Sequence, residues 1–308
     1  MGLRKCRKNP RTERVGEQIT STHTMIAFAY YGAKNGLLSE LLPLLPAADH
    51  YCEPFSGSAT VLLNRAPSPI ETMNDLNGDL VNFFRILRDN SDELVRRLEL
   101  TPYAYEEYVQ AWDETTDDIE RARRFYIRTQ MDLAKAGHRK DRSWSCNVTY
   151  TSGQHSYAVK NFHTKVPGLI EVAQRLKMVQ IDNRPALDHI RKFDGPGTLF
   201  YCDPPYLPAT RKSANDYKYE MGEQAHIELA QVLNACEGRV ALSGYDAPIM
   251  DELYSAGTWQ KIRFKSRKVP MSRGAGLIRQ ECLWVNYNPY PTGSEIQTTI
   301  FHDESFTK

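Results

Sequence analysis

The 308-residue sequence has no long apolar run of the roughly eighteen residues that a membrane-spanning helix needs. Its first residues, MGLRKCRKNPRTERVGEQ, are basic, but no apolar stretch follows them, so we expect no secretory signal. The six cysteines are scattered and form no C-x-x-C pair, which is typical of buried thiols in a reducing cytosol. We therefore expect a cytoplasmic protein with no metal site and no membrane partner.

The sequence also has little net charge. Lys and Arg number 39 against 38 Asp and Glu, whereas dedicated nucleic-acid binders are often strongly basic. Two local basic clusters exist, at residues 121–142 and 261–273. Such clusters are commonly solvated helix faces or strand edges, so they become informative only beside a catalytic motif. The 41% of hydrophobic residues supports a packed core.

The order of the predicted elements indicates an α/β fold. Candidate strands at residues 50–54 and 70–75 each precede a helical segment, which is the βαβ pattern of a parallel sheet. The pattern becomes mainly helical from residue 91 to 162 and then alternates again. We predict a Rossmann-like sheet of about seven strands, the last two antiparallel at one edge, with an inserted, mostly helical subdomain. The predicted units are a disordered basic arm (1–24), a main domain in two pieces (25–90 and 163–290), the insert (91–162) and a C-terminal tail (291–308).

The most informative segment is the strand-like TLFYC followed by Asp203, Pro204, Pro205 and Tyr206. Ligands of open α/β sheets bind at the carboxyl ends of the strands, and two successive prolines fix the backbone there. Methylation of an exocyclic amine requires acceptors for its two hydrogens and a flat surface that orients the ring. Asp203, the Pro204 carbonyl and Tyr206 suit these tasks, with no metal or covalent intermediate. For the D-P-P sequence alone, a strand-ending proline turn with a capping Asp is an equal alternative.

Two further segments follow predicted strands. The first, CEPFSGS, starts at Cys52 and opens a helix; its small residues allow close approach of a ligand to the backbone. Its Glu53 suits the positive charges of S-adenosylmethionine. The second ends at Asp75, where nucleotide-binding folds place an acid that accepts hydrogen bonds from ribose hydroxyls. Taken alone, Asp75 is better explained as a helix N-cap.

Taken in order, the segments YYGAK, CEPFSGSAT, MNDLNGDLVNFFRILRDN, YCDPPY, VALSGYDAPIMDELY and ECLWVNY resemble the Dam-like (D12 class, class alpha) DNA adenine-N6 methyltransferases. The resemblance covers about Ala29 to Tyr287, with Ala33 in place of the second glycine of the family's opening motif. It implies a site-specific enzyme that uses S-adenosylmethionine to methylate N6 of adenine in double-stranded DNA. It implies that the main domain is the catalytic methyltransferase domain and that the insert recognises the target. The cofactor-binding residues it implies are Tyr30, Lys34, Glu53, Phe55, Gly57, Asp75, Ile181, Asp182, Asn183 and Asp203.

The target adenine must leave the base stack to reach the Tyr206 pocket. We expect DNA contacts from basic and aromatic residues of the insert and of the loop after the tetrad. These candidates are Arg128, Arg139, Lys140, Arg142, Arg211, Lys212, Tyr217 and Tyr219. The basic strand from Arg263 to Arg273 is the alternative reader. The insert maps to no known specificity, so the resemblance implies no particular target. A restriction endonuclease is a candidate partner, and we expect a monomer or weak dimer.

Three alternatives stay open at this stage. Cytosine-N4 methyltransferases share this chemistry but usually carry Ser in place of Asp203. RNA amino-methyltransferases have a similar tetrad, although the long insert favours a reader of duplex DNA. A non-catalytic DNA-recognition subunit is the third alternative, and the intact Asp203, Tyr206 and Gly57 argue against it.

Overall fold

The computed structural model describes residues 24–133, 143–146, 156–210, 219–265 and 280–290. Within these residues, seven strands form one sheet in the order β3-β2-β1-β4-β5-β7-β6. The strands are β1 (His50–Glu53), β2 (Ile70–Asn74), β3 (Val179–Asp182), β4 (Thr198–Cys202), β5 (Arg239–Tyr245), β6 (Gln260–Arg263) and β7 (Glu281–Val285). The first five strands pair in parallel, and β7 runs antiparallel to both β5 and β6. The predicted α/β sheet and its antiparallel edge are therefore confirmed.

Helices alternate with most of the strands, but six described helices follow one another between β2 and β3. They are α1 (Leu38–Leu41), α2 (Thr60–Asn64), α3 (Gly78–Asp89), α4 (Ser91–Glu99), α5 (Tyr105–Gln110), α6 (Asp118–Met131), α7 (Tyr157–Lys165), α8 (Leu169–Leu176), α9 (Ala186–Phe193), α10 (Glu223–Asn234) and α11 (Pro248–Leu253). In the described ranges, no helix is long and apolar enough to cross a bilayer.

The sheet places its strand ends for ligand binding. All five residues of β4 are buried, because a parallel strand covered by helices on both faces is apolar along its whole length. Strand β1 lies between β2 and β4, so the connections that lead to β2 and to β4 end on opposite sides of it. This reversal opens a crevice at the carboxyl ends of the strands. The Cys52↔Phe200 register brings the ends of β1 and β4 side by side.

The helices of the predicted insert share a core with the sheet domain. Helix α6 packs on α3, with the rings of Phe125 and Phe83 5.7 Å apart. Leu94 and Leu98 of α4 and Tyr108 of α5 are buried in the same core. The predicted boundary at residue 162 falls inside α7, a helix that the sequence pattern did not predict. The division into a catalytic domain and an insert stays a prediction.

Helix α6 ends at Met131, although a helical sequence pattern continues to residue 137. The backbone becomes extended at Asp132, and the Asp132 carboxylate accepts a hydrogen bond from the Tyr108 hydroxyl at 2.7 Å. Asp132 also forms an isolated antiparallel bridge with Trp144. A buried tertiary contact therefore ends the helix where local propensity would extend it. The predicted basic arm, apart from Thr24, and the C-terminal tail from residue 291 lie outside the described residues.

Candidate active site

A cavity of about 260 Å³ lies at the carboxyl ends of β1, β2 and β4. Its wall combines Phe55 and Gly57 after β1, Asp75 after β2, and Asp203 and Pro205 after β4. The three segments singled out in the sequence therefore meet at one site. Tyr30, on the segment before α1, and Tyr219, after β4, also line the cavity.

The loops after β1 and β2 are tied together by the Asp75 carboxylate. Oδ2 accepts the Gly57 N–H at 3.0 Å, and Oδ1 accepts the Asn77 N–H at 2.8 Å. The side chain of Asn77, not of Asp75, caps α3 by accepting the Asp79 N–H. Each Asp75 carboxylate oxygen carries a second lone pair, so the hydrogen bonds to Gly57 and Asn77 are compatible with ligand binding.

Gly57 is required at this turn by its backbone conformation. Its φ of +47° lies in the left-handed region that side chains rarely adopt. A Cβ atom at this position would meet the Tyr30 ring at 3.6 Å, which is an ordinary contact. Tyr30 is a neutral phenol, because burial, followed by the charge of Asp75, raises its pKa.

The Asp203 carboxylate is paired with a buried lysine. Lys34 Nζ lies 2.7 Å from Asp203 Oδ2 and 2.9 Å from the carbonyl oxygen of Gly32. Burial alone would lower the pKa of Lys34, but Asp203 and then Glu281 raise it above its ordinary value. Burial raises the pKa of Asp203, and the Lys34 charge opposes that rise. Lys34 is not among the residues that line the cavity, and its ammonium pairs with the Asp203 carboxylate. Its predicted contact with the cofactor stays a prediction.

Tyr206 is 6% exposed and does not line the cavity. Its hydroxyl donates a hydrogen bond to Glu281 Oε1, and its ring packs edge-to-face on Tyr245 at 4.7 Å. His226 of α10 contacts the tetrad backbone, with Nε2 3.0 Å from the carbonyl oxygen of Pro205. Sequence reasoning missed Glu281 and His226, because both lie far from the tetrad in the chain.

Glu53 is buried inside the sheet, not in the cavity wall. Tyr51, two residues earlier on the same face of β1, donates its hydroxyl to Glu53 Oε1 at 2.7 Å. Burial raises the pKa of Glu53 to about 8, although Tyr51 and other donors oppose the rise. These contacts hold Glu53 within the sheet, and its predicted contact with the cofactor stays a prediction.

The predicted segment, residues 181–183, spans the end of β3 beside the cavity. Asn183 Nδ2 donates to the backbone oxygen of Asp75 at 2.7 Å, and Asp182 pairs with Arg184 at 2.5 Å. The cavity wall is formed instead by residues 185–187, a few positions further along the chain. Asp182 and Asn183 therefore lead into the loop that carries the wall, and the predicted contact of Ile181, Asp182 and Asn183 with the cofactor stays a prediction.

Most predicted DNA contacts fall outside the described part of the chain: Arg139, Lys140, Arg142, Arg211, Lys212 and Tyr217. Tyr219 is 42% exposed and lines the cavity. Arg128 is only 8% exposed; its guanidinium donates to the Ala111 carbonyl at 2.8 Å and pairs with Asp79 at 3.1 Å. Its burial argues against a direct contact with DNA. Arg263, in the alternative basic strand, pairs with Asp246 at 2.9 Å.

Other wall residues carried no sequence signal, because their side chains are apolar or common: Leu76, Pro185, Leu187, Met221 and Glu228. Among the described residues, no group of three or more His, Cys, Asp or Glu is arranged to hold a metal ion.

Comparison with known proteins identifies the family of the chain. Residues 30–269 match the family model of D12 class N6 adenine-specific DNA methyltransferases. The retron Ec67 DNA adenine methylase of Escherichia coli is 24% identical over 278 residues, covering 84% of this chain and 92% of that protein. The type II methyltransferase M1.LlaDCHI of Lactococcus lactis subsp. cremoris is 24% identical, covering 83% and 93%. The DNA adenine methylase of Escherichia coli K12 is also 24% identical, covering 84% and 93%. The chain therefore belongs to the D12 class of N6 adenine-specific DNA methyltransferases.

Proposed function

We propose that this enzyme transfers a methyl group from S-adenosylmethionine to N6 of an adenine flipped out of double-stranded DNA at a specific site. One observation carries the proposal. The tetrad residues Asp203 and Pro205 line the same cavity as Phe55, Gly57 and Asp75 from the two loops expected to bind the cofactor. A methyl donor and an acceptor amine can therefore meet at the end of β4.

The residues of the cavity fit S-adenosylmethionine chemically. Ser56 Oγ is buried with no hydrogen-bond partner among the described residues, and such a group favours a polar ligand atom. Asp75 offers acceptor lone pairs for hydroxyl groups, while Tyr30, Phe55 and Leu187 offer apolar area for a purine. When bound, S-adenosylmethionine supplies an electrophilic methyl group on a positively charged sulfonium.

Asp203 and the Pro204 carbonyl act on the amine. The N6 lone pair of adenine is delocalised into the ring, and acceptors for its two hydrogens make the nitrogen more nucleophilic as positive charge develops. Bound S-adenosylmethionine would supply the methyl group, and the amine would lose one N6 proton to solvent. Lys34 favours the ionised form of Asp203, which is the stronger acceptor.

Tyr206 is proposed to stack on the flipped adenine and hold it in line with the methyl group. Because its ring is 6% exposed, stacking requires the ring or its neighbours to move when DNA binds. Arg139, Lys140, Arg142, Arg211 and Lys212 stay the proposed contacts to bases and phosphates.

The test uses the purified chain, labelled S-adenosylmethionine and duplex DNA from a host without adenine methylation. We expect labelled N6-methyladenine at one recurring sequence, identified by single-molecule sequencing. Replacing Asp203 by Ala removes one transition-state acceptor and should slow transfer by roughly a hundred- to a thousandfold. Label on cytosine N4, label on RNA alone, or near-normal turnover by Asp203→Ala would each contradict the proposal.

A further inference from the structure

Glu281 opens β7 and contacts two parts of the catalytic machinery. Its Oε1 accepts the hydrogen bond from the Tyr206 hydroxyl, and the same atom lies 3.6 Å from Lys34 Nζ. Lys34 in turn pairs with Asp203 at 2.7 Å. The first and last residues of the tetrad are therefore linked through Lys34 and Glu281.

The strand pairing explains why Glu281 reaches Tyr206. Strand β7 runs antiparallel to β5, and the register places Glu281 opposite Tyr245. Residues directly opposite each other on neighbouring strands share one face of a sheet. Tyr245 packs edge-to-face on the Tyr206 ring while Glu281 accepts the hydrogen bond from its hydroxyl. One cross-strand pair thus contacts the tyrosine at both its ring and its hydroxyl.

We propose that Glu281 is a positioning residue for methyl transfer, which fixes the orientation of the Tyr206 ring through the phenolic hydroxyl. The inference rests on the proposed role of Tyr206 in orienting the flipped adenine. A buried phenol needs a hydrogen-bond partner, and an ionised acceptor makes that bond stronger and more directional. Without the acceptor, the tyrosine keeps its packing contacts, its interaction with Asp203 and the Lys34 ammonium 5.1 Å from its ring centroid, but the ring is held less firmly and can adopt other orientations.

This role predicts a specific kinetic signature. Neither Glu281 nor Tyr206 lines the cavity proposed to hold S-adenosylmethionine. Loss of the Glu281 contact should therefore lower the rate of methyl transfer and leave the dissociation constant of the cofactor unchanged. Hydrogen bonds to charged groups are worth enough to make the expected loss of rate about ten- to hundredfold.

The experiment compares Glu281→Ala, Glu281→Gln, Tyr206→Phe and the double variant Glu281→Ala/Tyr206→Phe. Single-turnover transfer is measured on duplex DNA, cofactor affinity by calorimetry, and folding by thermal unfolding. We expect Glu281→Gln, which keeps an acceptor oxygen, to recover most of the rate lost in Glu281→Ala. Because Tyr206→Phe removes the same bond from its other side, the double variant should be no slower than the slower single variant.

Asp89→Ala is the control. Asp89 ends α3, outside the predicted recognition insert, and pairs with Arg88 at 2.7 Å. The variant should lose an ion pair and keep the wild-type rate. Unchanged transfer by Glu281→Ala, a raised cofactor dissociation constant, no rescue by Gln, or additive losses in the double variant would each overturn the proposal. Methylation of cytosine N4 by the wild type would refute the proposed adenine target but not the role of Glu281. The same variants can then be compared by their rates of N4-methylcytosine formation.

Discussion

Lys34→Met removes the only positive charge that the described residues place within hydrogen-bond distance of Asp203. The variant keeps a side chain of similar length, so the packing volume changes little. It leaves Asp203 and Glu281 facing each other without the ammonium that lies 2.7 and 3.6 Å from them. We expect the Asp203 carboxyl to respond by binding a proton, because two buried carboxylates cannot both stay ionised at low cost.

The magnitude follows from the burial of the pair. Lys34 and Asp203 side chains are 7% and 21% exposed, so solvent screens their attraction weakly. Breaking a buried ion pair from one side typically costs about 3–5 kcal/mol of folding free energy. Protonation of Asp203 reduces that loss at neutral pH, but it also removes the charged acceptor. We therefore expect methyl transfer to fall by roughly a hundred- to a thousandfold at neutral pH.

The dependence on pH gives this prediction its sign. Burial raises the pKa of Asp203, and Lys34 now opposes that rise. Without Lys34 the pKa goes higher, so the ionised acceptor, and with it the rate, returns only as the pH increases. Stability should move the other way. A carboxyl whose pKa is raised by folding stabilises the fold at low pH, and that stability is lost as pH rises through the folded-state pKa.

The assay measures single-turnover transfer and thermal unfolding from about pH 6 to about pH 9. Arg175→Met is the matched control, because Arg175 forms a buried pair with Glu71 near the start of β2, 2.5 Å apart, at the opposite end of the strands. It should lower the melting temperature and leave the rate of the folded enzyme unchanged. The reasoning fails if Lys34→Met keeps the wild-type rate at neutral pH. It also fails if its rate is reduced equally at every pH, which would indicate direct contact between Lys34 and substrate.

Three other predictions concern the loops and the strand that border the cavity. Asp75→Ala should raise the dissociation constant of S-adenosylmethionine about tenfold, because one acceptor is lost; unchanged affinity by calorimetry would refute the placement of the cofactor. Gly57→Ala should lower the free energy of unfolding in urea by roughly 1–2 kcal/mol, because its φ is +47°; an equally stable variant would contradict this. Glu53→Gln should flatten the dependence of the free energy of unfolding on pH. The pKa of Glu53 is raised from 4.5 to about 8, so the stability of the wild type falls as pH rises between these values. A slope that persists in the variant would exclude Glu53 as its source.

Much of the fold could be predicted from local sequence patterns. The apolar run TLFYC became β4, and the spacing of Leu80, Phe83, Phe84 and Leu87 became the buried face of α3. These patterns suffice because burial on one or both faces dictates which positions are apolar. Helix α7 was missed because its polar residues interrupt the period, and only Phe162 is buried in it. The early end of α6 at Met131 depends on Tyr108 and Trp144, contacts that no local pattern contains.

The residues of the candidate site could be predicted where they directly follow a strand. Phe55, Gly57, Asp75 and Asp203 each follow a strand, and the carboxyl ends of parallel strands converge on one crevice. The partners of these residues were not predictable. Glu281 is separated from Tyr206 by 75 positions, and Lys34 from Asp203 by 169. Such contacts depend on strand order and register, which follow from the folded sheet and not from any motif.

The near-zero net charge has a structural explanation that bears on DNA binding. All four arginines between residues 121 and 128 are paired with acids of the same helical layer: Arg121, Arg123, Arg124 and Arg128. Such pairs present little unbalanced charge to a phosphate. Basic residues are in excess elsewhere in the chain: residues 134–142, 211–218 and 266–279 contain four, three and four Lys or Arg, against Asp141 and Asp216 alone. The net charge near zero therefore hides three segments with an excess of basic residues beside a helical layer whose charges are paired. These three segments favour a polyanionic substrate.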